Sequence, residues 1–583
     1  MRMHRWGPLA LAALVAAVLT GLLAMQTPGS ACSGLPIMVA SSEEKSQLLS
    51  DLAGSFNATH PMVGSQCVTV RVVRKASGAT EQALVTGWND SVDGPKPDVW
   101  SPAAVTWILL LDQALAGQHR SAMASVDSPS LCRSPLVIAM PRPMAEAIEA
   151  RGQPIGWSDL FQLATDPGGW SRYGHPEFGA FQLAKTNPLI STSGLHALIG
   201  TYFAASGRSS NLTSEVLTQP KVAGFVSGVE RAVVHYGDSV SNFLLNLQAA
   251  DDSNRALTFV SAIVMEEKEV WDYNQGNPTG NPATLGQHPL PKVPLVAIYP
   301  KEGTLAADHP YAILDAPWVT SDKRLAAEAF LQYLQGAQAQ ARFQAEGFRD
   351  KRGIPGPIIA RANGLRPELP GAYLQLPPAP IIQAVQASWS LVRKRARILL
   401  LIDSSALASC LDASRFAQSV RTGLKQLAGD DQAGAWVFPG SGSGAPPYTQ
   451  LVPVQPLQAD EAALQGAIAA LKPSSGPVAL YSSLQAAVNA MATNIDPSRI
   501  NAVLLISAGR STDPGDAPRF PTLTSVTTLA GQIPGVHVFT IAVGNHRDRA
   551  NLRLIALEGK GASYDACDPA SVGRALNAVI SNF

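Results

Sequence analysis

The sequence predicts an α/β protein of two successive units, because short β-rich runs alternate with helical patterns twice along the chain. The first alternation starts at Leu35 and the second at Ile398, and between them lies a segment rich in proline and glycine. A chain of 583 residues is also too long for a single hydrophobic core. We therefore expect a domain at 32–353, a proline-rich linker with a short helix at 354–394, and a second domain at 395–583.

The elements of the first domain follow from its β-branched and apolar runs and from the helical patterns after them. Strands are predicted at 37–40, 68–73, 97–100, 136–140 and 293–299. Helices are predicted at 43–57, 80–85 and 324–343. The stretch at 143–265 shows weaker patterns, and we expect it to be more irregular.

The second domain repeats the alternation of strand and helix. Strands are predicted at 398–402, 435–438, 502–506 and 536–543. The helices are predicted at 415–427, 462–471, 480–493, 525–533 and 571–580. Because helices join the strands, we expect a mostly parallel, doubly wound sheet.

Composition and charge exclude two classes of partner. The chain is 46% hydrophobic and 15% charged, which is typical of a globular protein. Its 44 basic and 44 acidic side chains balance. We therefore predict no nucleic-acid partner and no polybasic membrane surface, because both need an excess of positive charge.

The N-terminal segment, 1–31, predicts export. Two arginines and a histidine in the first five residues precede an uncharged apolar run at 7–25, the pattern of a signal peptide. The run is also long enough for a bilayer, which needs roughly 17 to 25 residues. A cleaved signal, an uncleaved membrane helix and a lipid on Cys32 all stay open. Each places the protein at the outer face of the cytoplasmic membrane or at the cell surface.

The five cysteines fit an oxidising compartment. Cys32 and Cys67 each precede a strand-like run, so a disulfide between them is feasible if those strands are neighbours. Cys410 and Cys567 both fall in the second domain and form the other candidate pair, which leaves Cys132 over. No cysteine and histidine spacing predicts a zinc site.

The first domain resembles a two-lobed, periplasmic-binding-protein-like extracellular solute-binding protein, nearest the molybdate and sulfate type. The resemblance covers about 32–349 and rests on MVASSEEK, RKASGAT, KPDVWSP, KTNPLISTSGLHAL and YPKEGTLAADHPYAIL, in that order. It implies a ligand cleft between two lobes. The strands at 136–142 and 295–301 are the expected crossovers, and closure around a solute is the expected motion.

Hydroxyl residues at strand-to-helix junctions are the candidate ligands of that cleft. A helix N-terminus presents unsatisfied N–H groups and partial positive charge, which suit a small polar solute or oxyanion. The resemblance assigns to the cleft Ser41, Ser42, Ser77, Gly78, Thr192 and Ser193, with Trp100 and Ser101 as weaker contributors. Helix capping is the alternative role for each serine alone. An acidic run around Glu266 and Glu267 would disfavour an anion, so the charge of the ligand stays open.

The second domain resembles a von Willebrand factor type A domain, a Rossmann-like fold. The phrases are ILLLIDSS, GPVALYSSLQAAVNA, NAVLLISAG, VHVFTIAVG and LRLIALEGKGASYDA. In that family a divalent cation binds a D-x-S-x-S motif, a threonine and an aspartate. Asp403 and Ser405 match the first two positions, but Leu407, Val478 and Ala508 replace the other three ligands. The remnant therefore predicts no metal.

These observations together predict an exported, membrane-tethered protein that captures or senses a small polar solute or oxyanion. The A domain is expected to bind an unknown protein partner. An adhesion or assembly protein with a purely structural first domain is the alternative. No cofactor and no enzymatic activity are predicted, because no nucleotide-binding, zinc-protease or serine-hydrolase motif is present.

Overall fold

A computed structural model describes residues 34–583, except 151, 153, 369–372, 409–412, 439–446, 475–477, 512–520, 545–546 and 567–568. The predicted signal or anchor segment at 1–31 lies outside the described residues. In the part that is described, no helix has the length and apolar character needed to cross a membrane.

Two separate sheets form the first domain, one in each lobe. Their strands are β1 Leu35–Ser41, β2 Met62–Val63, β3 Gln66–Arg74, β4 Val99–Ser101, β5 Ser134–Pro141, β6 Leu183–Thr186, β7 Val233–Gly237, β8 Ala262–Glu266, β9 Leu295–Ile298, β10 Ala306–Ala307 and β11 Ala312–Ile313. The first lobe has the order β11-β4-β1-β3-β2, with a parallel centre and antiparallel edges. The second has the order β10-β5-β8-β6-β7, with β9 also paired to β5.

Helices cover both sheets of the first domain. They are α1 Glu43–Asn57, α2 Ser77–Thr86, α3 Asp90–Asp93, α4 Thr106–Gly117, α5 Arg142–Glu149, α6 Trp157–Thr165, α7 Thr192–Ser206, α8 Ser214–Leu217, α9 Pro220–Arg231, α10 Val240–Asp252, α11 Ala256–Phe259, α12 Glu267–Asn274, α13 Ser321–Gln335 and α14 Ala337–Ala345. Helices α1, α2, α7, α10 and α12 start where the two lobes meet.

The lobes are joined beside the cleft by two antiparallel crossover segments, near 129–133 and 308–311. The Leu131 N–H donates to the His309 carbonyl at 3.0 Å, and the Tyr311 N–H donates to the Pro129 carbonyl at 2.9 Å. The prediction that 136–142 and 295–301 cross between the lobes is wrong. Those residues form β5 and β9, which pair with each other inside the second lobe.

The A domain is a six-stranded, mostly parallel sheet between helices. Its order is β14-β13-β12-β15-β16-β17, with only β14 antiparallel. The strands are β12 Arg395–Asp403, β13 Gln432–Phe438, β14 Thr449–Pro456, β15 Arg499–Ser507, β16 Val536–Val543 and β17 Lys560–Ala566. The linker helix is α15 Ala379–Val392, and the domain adds α16 Ala413–Leu424, α17 Leu457–Ala469, α18 Leu480–Thr493, α19 Leu523–Gln532, α20 Arg549–Glu558 and α21 Pro569–Ile580.

The linker and the A domain both pack on the first domain. Leu365 and Leu374 of the linker are buried, and so is Trp389 on α15. The A domain reaches the second lobe through the Asn582 carbonyl, which accepts the Tyr236 N–H at 2.9 Å. The two domains are therefore in direct contact, and the proline-rich segment packs against the first of them.

The predicted fold class is confirmed, while the expectation of an irregular stretch at 143–265 is wrong. That stretch contains β6, β7 and most of β8, as well as several helices from α5 to α11. Its strands have four or five residues and include the buried polar residues Lys185 and His235. Strands this short, with polar residues in the run, give almost no alternation for sequence reading to use.

Candidate functional site

The two lobes close directly on one another around a small cleft. The Gly78 N–H of the first lobe donates to the Ile190 carbonyl of the second at 3.0 Å. The indole N–H of Trp107 donates across the same boundary to Thr192 Oγ1 at 2.8 Å. The cavity left between the lobes is about 40 Å³. One water needs about 10–15 Å³, so this closed form holds an ion with a few waters or a very small solute.

Hydroxyl groups from both lobes line this cleft. Four residues predicted as ligands are among them: Ser42, Ser77, Thr192 and Ser193. Sequence reading did not single out two others, Ser191 and Ser239. Ser42, Ser191 and Ser239 precede α1, α7 and α10, yet none of these three helices receives a side-chain cap bond. Helix capping therefore does not account for these three hydroxyls.

The other four predicted ligands lie outside the cleft lining. Ser41 Oγ donates to the Ser42 carbonyl at 3.0 Å, and Ser101 Oγ donates to the Pro310 carbonyl at 2.8 Å. Trp100 is buried in the core. A Cβ at Gly78 would lie 2.4 Å from the Leu189 carbonyl oxygen, so this glycine allows the two lobes to touch. Their positions give these residues roles in packing and closure.

Five carboxyl groups give the cleft an acidic character that sequence reading largely missed. They belong to Glu43 and Glu44 in the first lobe and to Asp238, Glu266 and Glu269 in the second. Only Glu266 was named from the sequence. Because these residues come from three distant segments, no local motif reveals the cluster. The N-termini of α1 and α12 carry partial positive charge, and glutamates in the first turn of each helix offset that charge.

Cationic side chains balance only part of this acidity. Arg74 pairs with Glu43 at 2.9 Å, and Lys45 lies 3.5 Å from Glu44. The pKa of Glu269 is raised well above its ordinary value, by burial and by the nearby charge of Glu266. Burial raises the pKa values of Glu43, Asp238 and Glu266 as well. Glu266 is buried and Glu43, Asp238 and Glu269 are half-buried, so holding these carboxyl groups together has a cost that a bound positive charge would relieve.

His309 lies in the crossover segment behind these carboxyl groups and is fully buried. Its Nε2 is hydrogen bonded to Glu266 Oε2 at 3.1 Å. Its Nδ1 makes no hydrogen bond, although Glu44 Oε1 lies 3.4 Å away. Its backbone has φ 43°, an uncommon value for a residue with a side chain. One imidazole therefore lies between a carboxylate of each lobe.

In the A domain, the predicted metal-site remnant, Asp403 and Ser405, lies at the end of β12. Asp403 is buried, and one of its oxygens accepts the Ser405 N–H at 3.0 Å and the Ser405 hydroxyl at 2.5 Å. The other accepts the Ser507 hydroxyl at 2.8 Å. Leu407 is buried in the core, while Val478 and Ala508 are half-buried. The carboxylate is thus satisfied by its own domain.

The predicted disulfides are resolved only in part. Cys67 is disulfide-bonded, and Cys132 is free and buried. Cys32, Cys410 and Cys567 lie outside the described residues, so both pairings stay predictions.

Two lobes closing on a polar cleft, followed by a doubly wound sheet, define a two-lobed solute-binding protein with an A-type domain. The family of bacterial extracellular solute-binding proteins matches residues 37–349, which is more than half of the chain. The chain belongs to that family. A von Willebrand factor type A domain matches residues 396–565.

Similar proteins include two from Mycobacterium tuberculosis, of strains CDC 1551 and H37Rv, both described as uncharacterized. Each is 25% identical over 524 residues, which cover 88% of this chain and 71% of the relative. Among solved structures, a periplasmic thiamin binding protein is 12% identical, with 62% of this chain and 96% of that chain covered and a TM-score of 0.40. A ferric binding protein from Campylobacter jejuni is 10% identical, with 61% of this chain and 98% of that chain covered and a TM-score of 0.39.

Proposed function

We propose that this protein captures a small polar solute in the cleft between its lobes, outside the cytoplasmic membrane. The observation that carries the proposal is the convergence of hydroxyl groups and helix N-termini from both lobes on one cavity. Helix N-termini and hydroxyls supply directional donors, and closure of the lobes excludes water from them. The acidic lining argues against a free oxyanion, because an added anion would face five carboxyl groups.

We further propose that the A domain binds a protein partner without a metal ion. Its Asp403 carboxylate is occupied by Ser405 and Ser507, and apolar residues stand at the other ligand positions. Binding would then rest on surface complementarity. We also propose that the N-terminal segment tethers the protein to the membrane, so that the solute is captured at the cell surface.

Native mass spectrometry of the protein purified from its host tests solute capture. We expect a bound small molecule on the wild-type chain that dissociates on unfolding. Ser191→Phe should abolish this adduct, because the new ring fills a cavity of about 40 Å³. Leu189→Phe is the matched control, since Leu189 is exposed and lies outside the lining. A chain with no adduct in both wild type and variants would favour the structural role of the adhesion hypothesis.

A further inference from the structure

We propose that the cleft binds a divalent metal cation, with Glu44 and His309 as protein ligands and Glu266 as the residue that positions the imidazole. This rests on the proposed function and names the chemical class of ligand at the same site. Glu44, Glu266 and His309 bring their ligand atoms within 4.8 Å of one another from three separate chain segments.

The geometry of His309 is the first support. Two ligands about 2.1 Å from a metal at the tetrahedral angle lie about 3.4 Å apart, and His309 Nδ1 is 3.4 Å from Glu44 Oε1. The same Nδ1 is fully buried and makes no hydrogen bond, which costs free energy unless something fills the position. A cation there would take the place of a proton on Nδ1.

The contact on the other imidazole nitrogen is the second support. Histidines that bind metals usually donate the remaining ring N–H to a carboxylate, which fixes the tautomer and the orientation of the ring. His309 Nε2 has this partner in Glu266 Oε2, at 3.1 Å. Glu266 is therefore a positioning residue that acts through His309.

The surrounding charge is the third support. Glu269 faces the same cavity, and no cationic side chain is paired with it among the described residues. Asp238 accepts hydrogen bonds from the neutral groups of Tyr564 and Asn242. The cavity of about 40 Å³ is lined by Glu44 and Glu266, with His309 behind them, so a cation held by Glu44 and His309 would lie at the cavity wall and the cavity would hold the waters that complete its shell.

Lys45 is a cation close to this position, 3.5 Å from Glu44 Oε1, and the first lobe holds its ammonium group. Its ammonium donates to the carbonyls of Ser101 and Pro102, at 3.0 and 3.2 Å. Among the described residues, every contact of the Glu44 carboxylate uses Oε1. A metal ion between Nδ1 and Oε1 would therefore share Oε1 with Ser42 and Lys45, while Oε2 could complete a bidentate contact.

The donor set decides which cations suit the site. An imidazole with a carboxylate favours Zn²⁺, Fe²⁺ or Co²⁺, whereas Mg²⁺ and Ca²⁺ prefer oxygen ligands alone. We therefore expect Zn²⁺ and Co²⁺ to bind, and Mg²⁺ and Ca²⁺ to compete poorly.

Calorimetric titration of the chelator-treated full chain with Zn²⁺ tests the proposal. We expect one saturable site per chain and at least tenfold weaker binding in Glu44→Gln and in His309→Gln. Glu266→Gln should weaken binding by about 10- to 100-fold, the usual effect of losing such a partner. Glu328→Gln is the matched control, since Glu328 is an exposed glutamate on α13 of the first lobe and lies outside the cavity lining. Asp403→Asn controls for the A domain, and neither control should change the affinity.

The absorption spectrum of bound Co²⁺ separates ligation from folding. The ligand-field bands should shift in His309→Gln and stay unchanged in Glu328→Gln. Absent Zn²⁺ binding, or binding that Glu44→Gln and His309→Gln leave unchanged, overturns the metal site. In that case an organic adduct in native mass spectrometry would still support solute capture. Zn²⁺ binding lost in both variants supports the metal site whether or not an organic adduct is found.

Discussion

At the carboxyl end of β12, the Asp403 side chain stabilises a turn of its own domain. Ser405 and Ser507 donate to both of its oxygens, and Ser507 Oγ in turn accepts the Gly509 N–H at 3.1 Å. These bonds join the ends of two neighbouring strands, β12 and β15. These hydrogen bonds alone give the Asp403 carboxylate a structural role.

Replacing Asp403 should destabilise the A domain, with no dependence on divalent cations. In Asp403→Ala, the buried Ser507 hydroxyl and the Ser405 N–H lose their acceptor, at a cost of about 1–3 kcal/mol. Asp430→Ala is the control, because Asp430 is exposed and its pair with Arg395 is worth about 0–1 kcal/mol. Denaturant unfolding with and without Mg²⁺ measures both. A wild-type midpoint that rises with Mg²⁺, and does not rise in Asp403→Ala, would contradict the prediction that Asp403 binds no metal.

At the scale of elements, the strands and helices with strong periodicity could be predicted, but their partners could not. The strand predicted at 136–140 is β5, yet it pairs with β8, β9 and β10 inside the second lobe. One of the two crossover segments contains Asp308, His309 and Pro310, and no apolar run marks it in the sequence. The same limit applies to the site. Serines at helix starts are visible locally, whereas Glu269 and Asp238 join the cleft only through the tertiary fold.

The contact between β7 of the second lobe and β16 of the A domain contains two buried histidines. The His235 ring stacks on Phe243 with centroids 4.7 Å apart and meets His537 at 5.3 Å. Burial lowers the pKa of His235 to about 4 and lowers that of His537 well below its ordinary value. The charges of Lys394 and Lys560 lower the pKa of His537 further. The packed interface therefore requires both rings to be neutral.

This interface should weaken in acid. Unfolded or undocked histidines take up protons below about pH 6.5, while the packed ones do not. The stabilisation is fully present above that pH and is lost as the pH falls toward 4, by up to about 1.4 kcal/mol per pH unit for each group. Thermal unfolding between pH 7.5 and 4.5 measures the loss. His235→Phe should flatten the pH dependence, whereas His175→Phe, on the surface, should leave it unchanged. Equal pH dependence in wild type and His235→Phe would refute this assignment.

On the scale of the whole molecule, the A domain contacts both lobes and also a residue of the cleft. Tyr564 on β17 donates to Asp238 at 2.9 Å, and Asp238 lines the cavity. Asn187 donates to the Ser581 carbonyl at 3.0 Å, beyond the end of α21. Arg574 on α21 reaches the Val92 carbonyl of α3, in the first lobe, at 3.4 Å. Opening the cleft moves the lobes apart, so it must disturb one of these contacts.

Cleft closure and docking of the A domain should therefore be coupled, and by linkage the coupling acts in both directions. A bulky side chain introduced into the cleft tests this coupling without knowledge of the ligand. In Ser191→Phe the lobes cannot close, so α21 loses its contact with α3, and the amide hydrogens of α21 and β17 should exchange faster. Leu189→Phe, outside the cavity, should exchange at the wild-type rate. In the reverse direction, Tyr564→Phe frees Asp238 from the A domain and should speed exchange at the start of α10, where the cleft begins. If both variants match the wild type at α21 and α10, the A domain docks independently of the cleft, and a partner bound to it would receive no signal of solute capture.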